Sequence, residues 1–152
     1  QGEPLIRDSL RQARLEAHLV IQPEPLGMGD AVLRFECSPV ASEATHVLLA
    51  WGDLACLQAN TISCMATSHI KCGNDFTFVT RIVDDAYTLV RRDHAGRVLC
   101  VSETREQGVT DPRPGEREIG LFAFNKELVF ETLKSMSKLV LLNVKGGLEQ
   151  RV

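Results

Sequence analysis

His46-Val47-Leu48-Leu49-Ala50-Trp51-Gly52-Asp53 is an apolar run that stops on a glycine and a carboxylate. An uninterrupted run of this length suits a strand buried on both faces, the kind found in α/β sheets. Working downstream, residues 60–69 read as a helix that Gly73-Asn74-Asp75 ends. Residues 76–83 read as a third strand, rich in Phe, Val and Ile. Segments 87–92 and 98–104 flank Asp93-His94-Ala95-Gly96-Arg97 and predict a strand pair joined by a glycine-containing turn. Residues 107–116 hold two prolines and two glycines and predict a loop. A strand over 119–124, a helix over 126–136, a last strand over 139–144 and a tail over 145–152 complete the chain.

Upstream, Ser38 to Thr45 reads as a loop and Asp30 to Phe35 as a helix. That helix follows Gln22-Pro23-Glu24-Pro25-Leu26-Gly27-Met28-Gly29, whose prolines and glycines can continue neither a helix nor a strand. His18-Leu19-Val20-Ile21 predicts a short buried strand. Leu5, Ile6 and Leu10 recur at near-helical spacing behind Pro4, so residues 4–14 predict an amphipathic helix. Strands alternate with helices through the first half, which argues for a mixed, mostly parallel α/β sheet with helices on both faces. One domain over 1–152 is expected at this length.

Composition narrows the function. The chain is 44% hydrophobic and 24% charged, as soluble globular chains are, which excludes disordered, collagen-like and coiled-coil classes. Lys plus Arg is 17 against 20 for Asp plus Glu, giving a net charge of −3. A sequence-independent nucleic-acid partner is therefore not expected. Apolar runs such as Leu139-Val140-Leu141-Leu142 are far short of a membrane span, so no membrane partner is expected either. Gln1-Gly2-Glu3-Pro4 has no basic flank or apolar stretch, so no signal peptide is expected. Five cysteines, an odd and irregularly spaced set, point to reduced thiols and a cytoplasmic setting. Cys64, His69 and Cys72 match no closed zinc spacing. The four histidines are scattered and suggest no triad.

Two strand ends carry unusual residues, and ligands in open α/β sheets lie beyond the carboxyl ends of strands. In the segment from Gln22 to Asp30, glycines let backbone approach a ligand, a helix start offers N–H groups, and the Gln22 amide both donates and accepts. The same loop could simply turn the chain. Asp53, at the tip of a buried strand, could hold a hard cation such as Mg²⁺ together with phosphate oxygens. It could equally cap the next helix.

Gln22-Pro23-Glu24-Pro25-Leu26-Gly27-Met28-Gly29-Asp30-Ala31 resembles the segment of sugar-phosphate nucleotidyltransferases that holds the nucleobase, and Leu49-Ala50-Trp51-Gly52-Asp53 resembles their next strand, with its Gly-Asp end. Ile82-Val83-Asp84-Asp85-Ala86-Tyr87-Thr88, Val101-Ser102-Glu103-Thr104-Arg105 and Glu118-Ile119-Gly120-Leu121-Phe122-Ala123-Phe124 follow in register. N-acetylglucosamine-1-phosphate uridyltransferase domains look most similar. The resemblance implies a Rossmann-like nucleotidyltransferase fold and attack of a sugar-1-phosphate on a nucleoside triphosphate, giving an NDP-sugar and pyrophosphate. It implies that Gln22 bonds the base, that Gly27, Met28 and Gly29 lie along the nucleoside, and that Trp51 and Gly52 stand beside it. It further implies that Asp53 is the catalytic carboxylate, holding Mg²⁺, and that Thr88, Glu103 and Glu118 fall near the sugar. Nothing before Gln22 resembles the family's Gly-rich phosphate loop, so the first strand of the fold is expected to be missing from this sequence. The chain alone is then expected to turn over little, and a homo-oligomer or a completing segment is expected to fill the sheet. The alternative is a non-catalytic nucleotide- or sugar-binding or interaction domain of the same fold.

Overall fold

A computed structural model describes residues 3–24, 26–103 and 113–145, with backbone alone from residue 137 onward. The elements in chain order are α1 (Glu3–Gln12), α2 (Met28–Phe35), β1 (His46–Ala50), α3 (Ala59–Lys71), β2 (Phe76–Ala86), β3 (Thr88–Arg92), β4 (Val98–Glu103), β5 (Arg113–Asn125) and α4 (Lys126–Lys145). The chain divides into two compact units, residues 1–44 with 130–152, and residues 45–129.

In the unit of residues 45–129, β5 is the central strand. It lies between β1 and β2 and pairs antiparallel with both. Leu121, Phe122, Ala123 and Phe124 are all buried, because a strand with ladders on both edges and cover on both faces leaves nothing to water. Leu121 anchors a cluster with Met65 of α3 and Ala123, around which Leu54, Leu57, Ile62, Val79 and Ile119 pack. Truncating a side chain buried this completely costs about 2–5 kcal/mol. α3 ends in a Schellman motif. Gly73, at φ +62°, bonds Ile70 O at 3.2 Å, and Asn74 N bonds His69 O at 3.1 Å. The Asn125 side chain accepts from Leu128 N at 3.2 Å and caps α4.

β3 and β4 form a separate two-stranded antiparallel sheet. Asp93 closes their turn, accepting from Ala95 N and Arg97 N, each at 2.9 Å, and from Arg97 Nε at 2.7 Å. The hairpin is riveted to β5 by side chains two residues apart. Arg92 grips Glu116 with two bonds of 2.6 and 2.8 Å, and Thr88 Oγ1 donates to Glu118 at 3.2 Å. The Arg92 guanidinium beside Glu116, seconded by Thr80, holds that carboxyl down to about 2. Arg117 lies 4.5 Å over the Tyr87 ring.

In the other unit, α2 packs on the later part of α4. Phe35 meets Phe130 edge-on, Gly29 lies beneath Leu133, and Lys134 pairs with Glu36. α1 buries none of its residues among those described.

The α/β class is as expected, but the mostly parallel pairing is not, and β1, expected to be buried on both faces, is an edge strand with no buried residue. All three ladders among the described residues are antiparallel. The apolar run 119–124 enters between the two strands that precede it and runs against them, a choice that periodicity does not encode. Residues 18–21 form no strand. They have no ladder partner among the described residues, and Val20 and Ile21 stand exposed. Residues 139–144 are helix, because α4 continues through Lys145 and its backbone bonds are satisfied within the helix. β5 begins at Arg113, so 113–116 of the expected loop are strand; its residues 107–112 lie outside the described residues. So does the expected tail beyond Lys145.

Candidate functional site

The turn after β1 carries the candidate centre. Trp51 N donates to Gly120 O at 2.9 Å, one step beyond the last β1–β5 pair, Ala50 with Leu121. Trp51-Gly52-Asp53 then leaves the sheet in a turn, with Leu54 N bonded to Trp51 O and Ala55 N to Asp53 O. The carboxyl edge of β1 therefore delivers Asp53 to the surface. Its side chain is exposed and bonds nothing among the described residues. Asp53 does not cap α3. The N-cap there is Gln58, so the capping alternative is removed. Asp53 lines a pocket of about 590 Å³ with Leu54, Leu57, Gln58, Arg81 and Ile119.

Thr88, Glu103 and Glu118 come together. Thr88 stands directly opposite Glu103 in the β3–β4 ladder and donates to Glu118, which is buried. Glu118 Oε2 also accepts from Gly120 N at 2.6 Å, and the Trp51 ring lies against Gly120. Trp51 and the three residues expected near a sugar are thus one connected set within this unit.

In the other unit, the Gln22 side chain reaches across to the start of α2. Its amide donates to Gly27 O at 3.0 Å and to Asp30 Oδ2 at 2.7 Å, leaving the amide oxygen as an acceptor. Gly27 takes φ +92°, which a residue with a side chain rarely adopts, and N-caps α2 without a side-chain bond. Met28 and Gly29 form the first turn of α2, with Met28 exposed and Gly29 half-buried. Arg34 and then Gln22 hold Asp30 below the usual carboxylate range.

Sequence reasoning missed a second polar cluster. His69 is almost fully buried, 3.0 Å from His46 Nδ1 and 2.9 Å from Thr77 Oγ1. Burial first, then the His46 charge, lowers its pKa, against a smaller opposing pull from Asp75. Only the i-to-i+23 pairing reveals it, and no local spacing signals that. All five cysteines are free and exposed.

Mg²⁺ keeps several waters and takes phosphate oxygens, so it needs only one or two protein carboxylates. Asp53, exposed and unpaired among the described residues, fits as one. No three His, Cys, Asp or Glu side chains converge among the described residues. No helix among them is long and apolar enough to cross a membrane.

Comparison with known proteins shows a fold of the nucleotidyltransferase type. No family model matches the chain. The bifunctional protein GlmU of an Exiguobacterium species is 31% identical over 137 residues, covering 89% of this chain and 30% of GlmU. GlmU of Bacillus licheniformis is 26% identical over 132 residues, covering 86% and 29%. The chain thus spans about 30% of the length of these curated relatives. Among solved structures, HddC from Yersinia pseudotuberculosis superposes with a TM-score of 0.60 at 22% identity, covering 84% of this chain and 53% of HddC. A second HddC structure, complexed with GMP-PN, superposes at 0.57. Over most of its length the chain is similar to sugar-phosphate nucleotidyltransferases.

Proposed function

We propose that the chain is part of a sugar-1-phosphate nucleotidyltransferase, acting in the cytoplasm on a nucleoside triphosphate and a sugar-1-phosphate. In that reaction an oxygen of the sugar phosphate bonds to the α-phosphorus. The bond from that phosphorus to the bridging oxygen breaks, and pyrophosphate leaves with the electron pair. Mg²⁺, when bound, would neutralise charge on the phosphates. Asp53 would hold it. Trp51 and Gly52 would flank the nucleotide, and Thr88 and Glu103 would fall near the sugar, with Glu118 bonded behind Thr88. In the segment from Gln22 to Gly29, the free amide oxygen of Gln22 would accept from a base, and Gly27, Met28 and Gly29 would lie along the nucleoside. Residues 1–152 would form one such domain.

The observation that carries this reading is Asp53: a carboxylate delivered by the end of the edge strand β1, exposed and without a partner among the described residues. Left bare beside phosphates it would repel them, and a divalent cation reverses that sign. Calorimetric titration of UTP and GTP, with and without Mg²⁺, tests it on the wild type and on Asp53→Asn. Binding should require Mg²⁺ in the wild type and weaken in the variant, while unfolding free energy stays within about 0.5 kcal/mol, as for an exposed residue. Equal Mg²⁺ dependence in the two proteins would remove Asp53 from the site. Nucleotide binding without pyrophosphate release, over a range of sugar phosphates, would favour the non-catalytic binding domain instead.

A further inference from the structure

The β2–β5 ladder breaks at one place. Phe78 faces Phe122 and Thr80 faces Glu118, so the single residue Val79 stands across from Ile119, Gly120 and Leu121. The surplus bulges out of β5 at Gly120, at φ +80°. A bulged amide has lost its ladder acceptor and, when buried, must find another. Gly120 is buried, and its N–H finds Glu118 Oε2 at 2.6 Å. The other carboxylate oxygen takes the Thr88 hydroxyl, so both ends of this buried side chain are committed within the chain. The carbonyl of the same Gly120 receives Trp51 N, and the Trp51 ring covers the place where a Cβ would be, with ring carbons 2.5 to 2.9 Å from it. Ile119, the neighbouring bulge residue, lines the same pocket as Asp53.

We infer that Glu118 is a positioning residue: its buried carboxylate pins the Gly120 bulge, the bulge seats Trp51, and the seated Trp51 fixes the turn that presents Asp53. The consequence for Mg²⁺ and nucleotide rests on the proposed function above; the pinning itself does not. A carboxylate whose two oxygens were reserved for a sugar would leave Trp51 untouched when replaced.

Trp51 is the sole tryptophan, so its emission reports the bulge directly. Glu118→Leu keeps the bulk and removes both acceptors. Its Trp51 emission should shift to the red and become more accessible to acrylamide, at unchanged far-ultraviolet circular dichroism. Glu118→Gln retains an oxygen that can accept from Gly120 N–H and should restore the wild-type spectrum. Exchange of the Gly120 amide should be slow in the wild type and on the order of tenfold faster or more in Glu118→Leu, the scale expected for loss of a bond to a charged group. Unchanged Trp51 emission in a folded Glu118→Leu protein overturns the inference. So does a wild-type Gly120 amide that exchanges like an unprotected one, a result that holds even if the leucine variant fails to fold. None of these readouts contains nucleotide. Loss of Mg²⁺-dependent UTP binding in Asp53→Asn is a separate arm, so failure of the proposed function and failure of the pinning are told apart.

Discussion

Replacing Gly120 by alanine perturbs the molecule in two separable ways. The backbone there sits at φ +80°, where an L side chain is strained by about 1–2 kcal/mol. The new Cβ would also fall 2.5 Å from Trp51 Cδ2, 2.7 Å from Cγ and 2.9 Å from Cε3, well inside contact distance. Relieving such overpacking typically costs a further 1–3 kcal/mol or so. The Trp51 backbone is held beside the bulge by its N–H bond to Gly120 O, so relief has to come from turning the ring out of its place. The expected loss is therefore about 2–5 kcal/mol, a large share of the roughly 5–15 kcal/mol that holds an ordinary domain together. Gly96 supplies the control. It has the same φ of +80° in the Asp93–Arg97 turn, but nothing lies within 4 Å of its would-be Cβ. Gly96→Ala should show the backbone part alone, about 1–2 kcal/mol. Urea unfolding followed by far-ultraviolet circular dichroism measures both variants without using the perturbed tryptophan. Adding Trp51→Ala to Gly120→Ala should bring the cost of the glycine change down towards that of Gly96→Ala, a double-mutant cycle that isolates the ring contact. If Gly120→Ala and Gly96→Ala lose the same stability within about 0.5 kcal/mol, the packing of Trp51 on the bulge is refuted.

Two further outcomes follow from the titrating groups. Glu116 is held near 2 by Arg92, below its ordinary 4.5, so its contribution is full above pH 4.5 and disappears as pH falls towards 2. Because the Arg92 side chain is 39% exposed, water screens the pair, and Glu116→Gln should cost no more than about 1 kcal/mol at neutral pH and flatten the acid slope in that window; an unaltered slope in urea unfolding refutes it. His69 shifts stability in the same sense, over a higher pH window. Its folded pKa lies below 6.5, so the unfolded chain binds a proton that the native chain refuses, and stability falls as pH drops from 6.5. An imidazole titration by NMR that places His69 at or above 6.5 would contradict this.

Much of the fold is legible one segment at a time. The apolar run at His46, the Pro-Gly turn before α2, the glycine stop after α3 and the glycine turn between β3 and β4 are local signals, and each element stands where they place it. Local chemistry suffices there because caps, turns and propensities act over a few residues. The same holds for the strand-end carboxylate: an apolar run followed by Gly52-Asp53 marks a side chain that must emerge at a sheet edge. Pairing is different. Whether residues 119–124 lie beside a parallel or an antiparallel neighbour depends on which strands are free to receive them, and their apolar pattern is the same in either arrangement. For the same reason residues 18–21 carry a strand pattern without a ladder, and the pattern at 139–144 is absorbed into a helix. The His46–His69 pair, the Arg92–Glu116 clamp and the bulge that joins Glu118, Gly120 and Trp51 all link residues separated by 23 to 69 positions, apart from the Glu118–Gly120 bond itself. By itself the sequence determined which segments form elements and which side chains reach their ends. Tertiary structure alone decided which of those side chains meet, because contacts between distant segments are selected by burial and hydrogen-bond satisfaction across the whole packed unit.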